Sequence, residues 1–209
     1  SSKRSWDFAC HRGRQMNEHV NRKLHFWDAV WDLQVETCPC DVHFCDWIEK
    51  KGITDASIFH FGTGSHHIVG IRQAENRSNN CVYGITASPG EYDTFVKLAI
   101  DRPEVEKTYK AFFGDIYQLE ERLLPEFDVV TLFHLCEFRN ERNDLYGALT
   151  DREVTDMLTH KTRSGGYILF YTKSFAFDTA ESKVIAQWEK ESAVEKVGMY
   201  ETLLVYRKK

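Results

Sequence analysis

Three local concentrations of reactive side chains stand out in this chain of 209 residues. The first is Cys38-Pro39-Cys40-Asp41-Val42-His43-Phe44-Cys45, where soft thiolates and an imidazole could hold zinc or a thiophilic metalloid. Its C-x-C-x2-H-x-C spacing is not the paired C-x2-C of zinc sites, so we read small buried cysteines on a helix and expect no metal. The second is His60-Phe61-Gly62-Thr63-Gly64-Ser65-His66-His67, directly after an apolar run. Two glycines there let the backbone approach a ligand closely, and a strand-to-helix turn offers free N–H groups of the kind that bind nucleotides. A Rossmann dinucleotide fingerprint would place a third glycine at 67, and the chain has His67 instead. No Gly-Lys-Ser/Thr follows, which excludes a P-loop, and the plain alternative is a tight turn without a ligand. The third is His134 with Glu137 three residues on, an imidazole able to take a proton near neutral pH. The competing reading of His134 is a ring packed under its strand and bonded to a carbonyl.

The elements that must position these groups follow from periodicity. Val20, Leu24, Trp27 and Trp31 are spaced by 4, 3 and 4, which predicts a helix from about 15 to 36. Pro39 interrupts it, and a second short helix with Val42, Cys45 and Ile48 on one side should end at Gly52. From Ile53 the pattern changes to compact apolar runs separated by helix-length segments. Strands are expected at 56–61, 81–86, 109–113, 127–133 and 166–172, followed by a helix at about 178–191. The runs 194–199 and 202–206 lie too close for a crossover and must pair as an antiparallel hairpin. The fold class is therefore α/β, a Rossmann-like open, mostly parallel seven-stranded sheet with a C-terminal antiparallel hairpin. We divide the chain into an N-terminal helical cap, 1–52, and a sheet domain, 53–209.

With these stations in order, the region from about Ile53 to Lys209 resembles the class I S-adenosylmethionine-dependent methyltransferases. Gly62-Thr63-Gly64 matches the family's glycine-rich first motif, and Ile85-Thr86-Ala87-Ser88-Pro89 is similar to the end of its second strand, beside the ribose. Phe113-Gly114-Asp115-Ile116 looks like its loop after strand three, where an Asp contacts the adenine amino group. Phe127-Asp128-Val129-Val130-Thr131-Leu132-Phe133-His134 looks like its fourth strand, ending beside the methyl donor, and Ser164-Gly165-Gly166-Tyr167 like the turn into its fifth. The resemblance implies S-adenosylmethionine as cofactor, bound by His60, Gly62, Thr63, Gly64, Thr86, Asp115 and Ile116. It implies His134 as catalytic residue, with Glu137, Trp27 and Trp31 as substrate contacts, because an N-terminal segment often covers the pocket in this family. The chain departs from the pattern at His60 and His66, and at Thr86, where the family has a carboxylate holding the ribose hydroxyls. Replacing that contact by a hydroxyl would cost about 1–2 kcal/mol.

Charge and composition narrow the partners. Lys+Arg number 27 against 32 Asp+Glu, a net charge of −5, which gives no electrostatic drive toward a phosphate backbone. The expected acceptor is a small molecule, with no nucleic acid or membrane partner and at most a second copy of the chain in a homodimer. No apolar run approaches the ~20 residues of a membrane span. The sequence begins on Ser rather than Met, as a trimmed chain would, and no signal-type apolar stretch follows. Six cysteines do not make a disulfide scaffold in a core this large, and the expectation is a reducing, cytoplasmic setting. The rival functions are a catalytically inactive scaffold that keeps only the fold, and a nicotinamide-dependent oxidoreductase.

Overall fold

The computed structural model describes residues 23–209. Its helices are α1 (Cys40–Lys51), α2 (Ile68–Glu75), α3 (Pro89–Asp101), α4 (Pro103–Glu106), α5 (Glu141–Asp144), α6 (Asp151–Lys161), α7 (Phe177–Ala180) and α8 (Ala186–Glu191). Its strands are β1 (Ser57–Phe61), β2 (Cys81–Thr86), β3 (Tyr109–Phe113), β4 (Phe127–Thr131), β5 (Thr162–Tyr171), β6 (Val194–Tyr200) and β7 (Leu203–Lys208). They form one seven-stranded sheet in the order β3-β2-β1-β4-β5-β7-β6. The pairs among β1 to β5 are parallel, and β7 runs antiparallel to both β5 and β6.

The compact apolar runs are explained by burial on both faces. Ile58, Val129 and Leu169 join one core with Phe44, Trp47 and Ile48 of α1, Val69 of α2 and Phe95 of α3. Their neighbours Phe59, Val130 and Ile168 join the opposite core, with Val154 and Leu158 of α6 and Trp188 of α8. The helix expected at about 178–191 is present from Phe177 to Glu191, with a π-helical turn at Glu181–Ile185 inside it. Gly52, at φ 65°, closes α1 in the left-handed conformation that favours glycine.

Two expectations need correction. The helix at 15–36 is absent where the chain is described: residues 23–34 carry no helix and cross the carboxyl edge of the sheet as an extended strap. Its backbone groups find partners in the sheet's loops instead of in a helix, with Trp27 N–H donating to Ala87 O at 3.0 Å and Ser65 N–H to Trp31 O at 2.8 Å. Long-range hydrogen bonds of this kind override a helical apolar spacing. The part of that helix before residue 23 lies outside the described residues. The second correction concerns Arg207-Lys208-Lys209, a short terminal charge run that by sequence alone reads as solvated. Lys208 Nζ donates to the carbonyls of Thr159, His160 and Thr162 and so caps the end of α6. Among the described residues no helix is long and apolar enough to cross a membrane.

Candidate functional site

The strand order reverses between β1 and β4, and a cavity of about 430 Å³ opens at the carboxyl ends of the strands there. This is where open α/β sheets bind ligands, and the volume suits one ligand of ordinary size. Each wall is built by a strand end and the turn that follows.

After β1 the chain turns through Gly62 and Gly64, both in the left-handed region at φ 83° and 56°, and both line the cavity. A side chain at Gly64 would collide with the His66 ring, which folds back over the turn while its Nδ1 accepts the Ile68 N–H at 3.2 Å. His67, in the place of a third glycine, keeps glycine-like geometry at φ 47°. It is locked there by Nδ1 to Tyr109 Oη at 2.8 Å and Nε2 to Thr94 Oγ1 at 2.8 Å, and burial pushes it down to about 4. Neutral His67 therefore supports the turn from beneath and does not line the cavity.

After β2, Thr86 lines the cavity, but the carboxylate that accompanies it comes from the first turn of α3. Glu91 is buried and accepts from Thr86 Oγ1 at 2.6 Å and from the strap's Trp31 N–H at 3.3 Å. Burial raises its pKa against the pull of these donors. Ser88 caps α3 by accepting the Glu91 N–H at 3.4 Å and donates its hydroxyl to Ala29 O of the strap at 2.8 Å. The sequence carried a signal for Glu91 in the Ser88-Pro89 helix start, with an acidic residue in the first turn.

After β3, Asp115 caps the short 3-10 turn Ile116–Gln118 through the Tyr117 N–H at 2.9 Å. Its other oxygen accepts from Asn143 Nδ2 at 2.8 Å and Tyr146 Oη at 2.7 Å. Asp115 and Ile116 line the cavity, as does Asn143. Asn143 and Tyr146 belong to the segment around α5, and nothing local in the sequence linked them to Asp115.

Beyond β4, His134 lines the cavity and its Nδ1 meets Glu137 Oε2 at 3.0 Å. Burial opposes the imidazolium, yet the hydrogen bond and charge of Glu137, with Cys38 and Asp41 adding, leave His134 above its ordinary value. Glu137 is fixed in turn by Ser174 Oγ and by the Phe175 N–H at 3.1 Å. The strap supplies Trp27 and Trp31, which line the cavity and meet Phe138 edge-on at 5.1 and 5.6 Å between ring centroids.

The expected residues Gly62, Gly64, Thr86, Asp115, Ile116, His134, Glu137, Trp27 and Trp31 thus share one cavity. His60 and Thr63 do not join them. The His60 ring lies beneath the turn, stacked on Phe44, with Nδ1 on Thr131 Oγ1 at 2.9 Å. Its Nε2 is 3.5 Å from Asp41 Oδ1, with burial pushing His60 down to about 3 and Asp41 up to about 7. Thr63 is buried with its methyl against Gly84 of β2. Both side chains are buried on the sheet side of the turn.

The cysteine motif is split by the fold. Cys45 is fully buried in the core, and His43 Nδ1 bonds Thr202 Oγ1 at 2.9 Å. Cys38 and Cys40 instead line the cavity near His134.

No protein-family model matches the chain, and no curated protein matches it by sequence. Solved structures match by shape. Precorrin-6y C5,15-methyltransferase from Geobacter metallireducens superposes with a TM-score of 0.53 at 14% identity, over 78% of this chain and 87% of that one. A candidate rRNA methylase from Clostridium thermocellum gives 0.53 at 12% identity, over 85% of this chain and 100% of that one. TrmN from Thermus thermophilus gives 0.53 at 12% identity over 79% of this chain. The chain spans about half the length of several structures that it matches, 48% of TrmN among them. The fold is that of the class I S-adenosylmethionine-dependent methyltransferases, a mostly parallel sheet with an antiparallel C-terminal pair.

Proposed function

From that fold, we propose that the protein is a methyltransferase that binds S-adenosylmethionine and methylates a small molecule. The observation that carries this reading is a single cavity at the switch point in which two left-handed glycines, two buried carboxylates and a histidine converge from the ends of four parallel strands. The residues present fit the cofactor. Gly62 leaves room for close backbone approach to its amino-acid portion, while the space over Gly64 is taken by the His66 ring. Glu91 stands where a carboxylate is needed for the ribose hydroxyls, since each of its oxygens keeps a second lone pair beside its present donor. Asp115 and Ile116 would frame the adenine.

The cofactor supplies an electrophilic methyl group on a sulfonium, and the protein's work is alignment and proton handling. An acceptor atom that carries a proton would have to lose it on methylation. His134, oriented by Glu137 through Nδ1, has Nε2 left to take such a proton. Trp27, Trp31 and Phe138 form an aromatic wall suited to a partly apolar acceptor. The strap roofs the cavity, and the net charge is −5, both of which favour a small acceptor over RNA or DNA. The cytoplasmic setting and a homodimer stay part of this proposal.

Isothermal titration with S-adenosylmethionine, and separately with its demethylated product, should give micromolar binding that Gly64→Arg removes without loss of the folded thermal transition. Absence of heat with both ligands would sink the reading. The inactive-scaffold alternative draws on the His66 ring over Gly64 and on the engaged Asp115 carboxylate. It predicts that neither ligand raises the melting temperature. The nicotinamide alternative is opposed by His67 at the third glycine position and by the antiparallel β7.

A further inference from the structure

Cys38 ends the strap, Cys40 begins α1 and His134 follows β4, so three parts of the chain meet on one wall of the cavity. The two sulfurs lie 3.6 Å apart, and both sulfurs and one ring nitrogen of His134 fall within 4.8 Å of one another. Neither thiol is in a disulfide. We propose that Cys38, Cys40 and His134 form a binding site for a borderline-soft divalent ion of the zinc class, with its fourth position open to the cavity.

The geometry supports this assignment. A tetrahedral ion with bonds of about 2.3 Å to sulfur holds two sulfurs about 3.8 Å apart, close to the separation present. With a bond of about 2.0–2.1 Å to nitrogen it needs sulfur and nitrogen about 3.6 Å apart. Closing from the present spread is a side-chain adjustment of about 1 Å. The outer partners match as well. Metal-bound histidines almost always give their other ring nitrogen to a carboxylate or carbonyl, and His134 Nδ1 is engaged by Glu137, which leaves Nε2 for the ion. Glu137 is itself anchored by Ser174 and Phe175, so the imidazole is held in place before any ion arrives. The ligand set of two thiolates and one imidazole selects zinc-class ions over magnesium or calcium, and three protein ligands with an open position is the pattern of reactive zinc sites.

The ion site stands without the methyltransferase reading. If that reading holds, an ion here would bind the acceptor atom, lower its pKa and release its proton to solvent, and His134 would serve as ligand in place of base.

The full chain, reduced and stripped with a chelator, should take up zinc in competition with a chromophoric chelator, and cobalt(II) should produce thiolate-to-metal charge-transfer absorption. Cys38→Ser and Cys40→Ser should each weaken zinc at least ~100-fold, and Glu137→Gln about 10-fold through His134. Cys45→Ala and Cys81→Ser should leave affinity unchanged, since neither thiol lines the cavity. Cys38 is only half-buried, so its Ser variant should keep the wild-type thermal transition, which separates lost ligation from lost fold. No uptake by the wild type, or uptake that survives Cys38→Ser, would each overturn the assignment. Metal uptake without any S-adenosylmethionine binding would leave the ion site standing and remove the methyltransferase reading alone.

Discussion

At His67 a single residue holds the turn between β1 and α2 in a conformation that glycine usually occupies. The ring is held by Tyr109 and Thr94, and burial lowers its pKa to about 4. In the unfolded chain the same histidine takes up a proton near pH 6.5. Between about 6.5 and 4 the unfolded state therefore binds more protons than the native one, and stability falls as pH falls through that window. One such site contributes a slope of about 1.4 kcal/mol per pH unit there. Urea unfolding of wild type and His67→Gln across this range should show a shallower acid loss in the variant, on top of a lower stability at pH 7 from the missing hydrogen bonds. Equal slopes would mean that His67 is protonated in the native state. Single residues also explain which expectations moved. Thr86 does lack a carboxylate's strength, and Glu91 supplies that charge from five residues later, accepting the Thr86 hydroxyl on the way.

The strap is the element that sequence periodicity misjudged. The spacing of Leu24, Trp27 and Trp31 is helical, but residues 23–34 lie extended over the sheet's edge. Local spacing reports only that several apolar groups face one way, and here Trp27 and Trp31 face a cavity rather than a helix groove while Leu24 is exposed. What seats the strap is a close approach at the start of α3, where Val30 lies on Gly90 so tightly that a Cβ on Gly90 would collide with it. Gly90→Leu should lift the strap, change the fluorescence of Trp27 and Trp31 and weaken S-adenosylmethionine about 10-fold, a loss of about 1.4 kcal/mol. The thermal transition should move little, because Trp31 and Val30 are substantially exposed and the two cores lie elsewhere. Unchanged fluorescence and affinity would show that the strap is not a wall of the site. The strands behaved differently. Those predicted at 81–86 and 109–113 match β2 and β3 residue for residue, although β3 is an edge strand whose Lys110, Phe112 and Phe113 are exposed.

For the whole molecule, the order β3-β2-β1-β4-β5-β7-β6 brings the ends of four parallel strands to one edge and leaves β7 and β6 away from the cavity. The methylases that share this fold include proteins named for RNA, so fold alone does not select the acceptor. Net charge argues at this scale. With 27 basic against 32 acidic residues, filter binding of transfer or ribosomal RNA at about 0.15 M salt should detect no retention. Retention that falls steeply with added salt would point to a nucleic-acid acceptor.

The sequence by itself determined the α/β class, the approximate strand positions, with β4 ending at Thr131 rather than 133 and β5 beginning at Thr162 rather than 166, the closing hairpin and the glycine turn. Each of these rests on local chemistry: apolar runs, chain lengths too short for a crossover, and backbone angles that favour glycine. Only the tertiary structure decided which reactive groups meet. Cys45 and His43, adjacent in sequence to Cys40, are carried into the core and toward Thr202, while His134 is brought to Cys38 and Cys40 by the pairing of β4 with β1. Side chains on one short helix must point around its axis, so neighbours in sequence diverge, whereas a parallel sheet gathers the ends of distant strands at one edge.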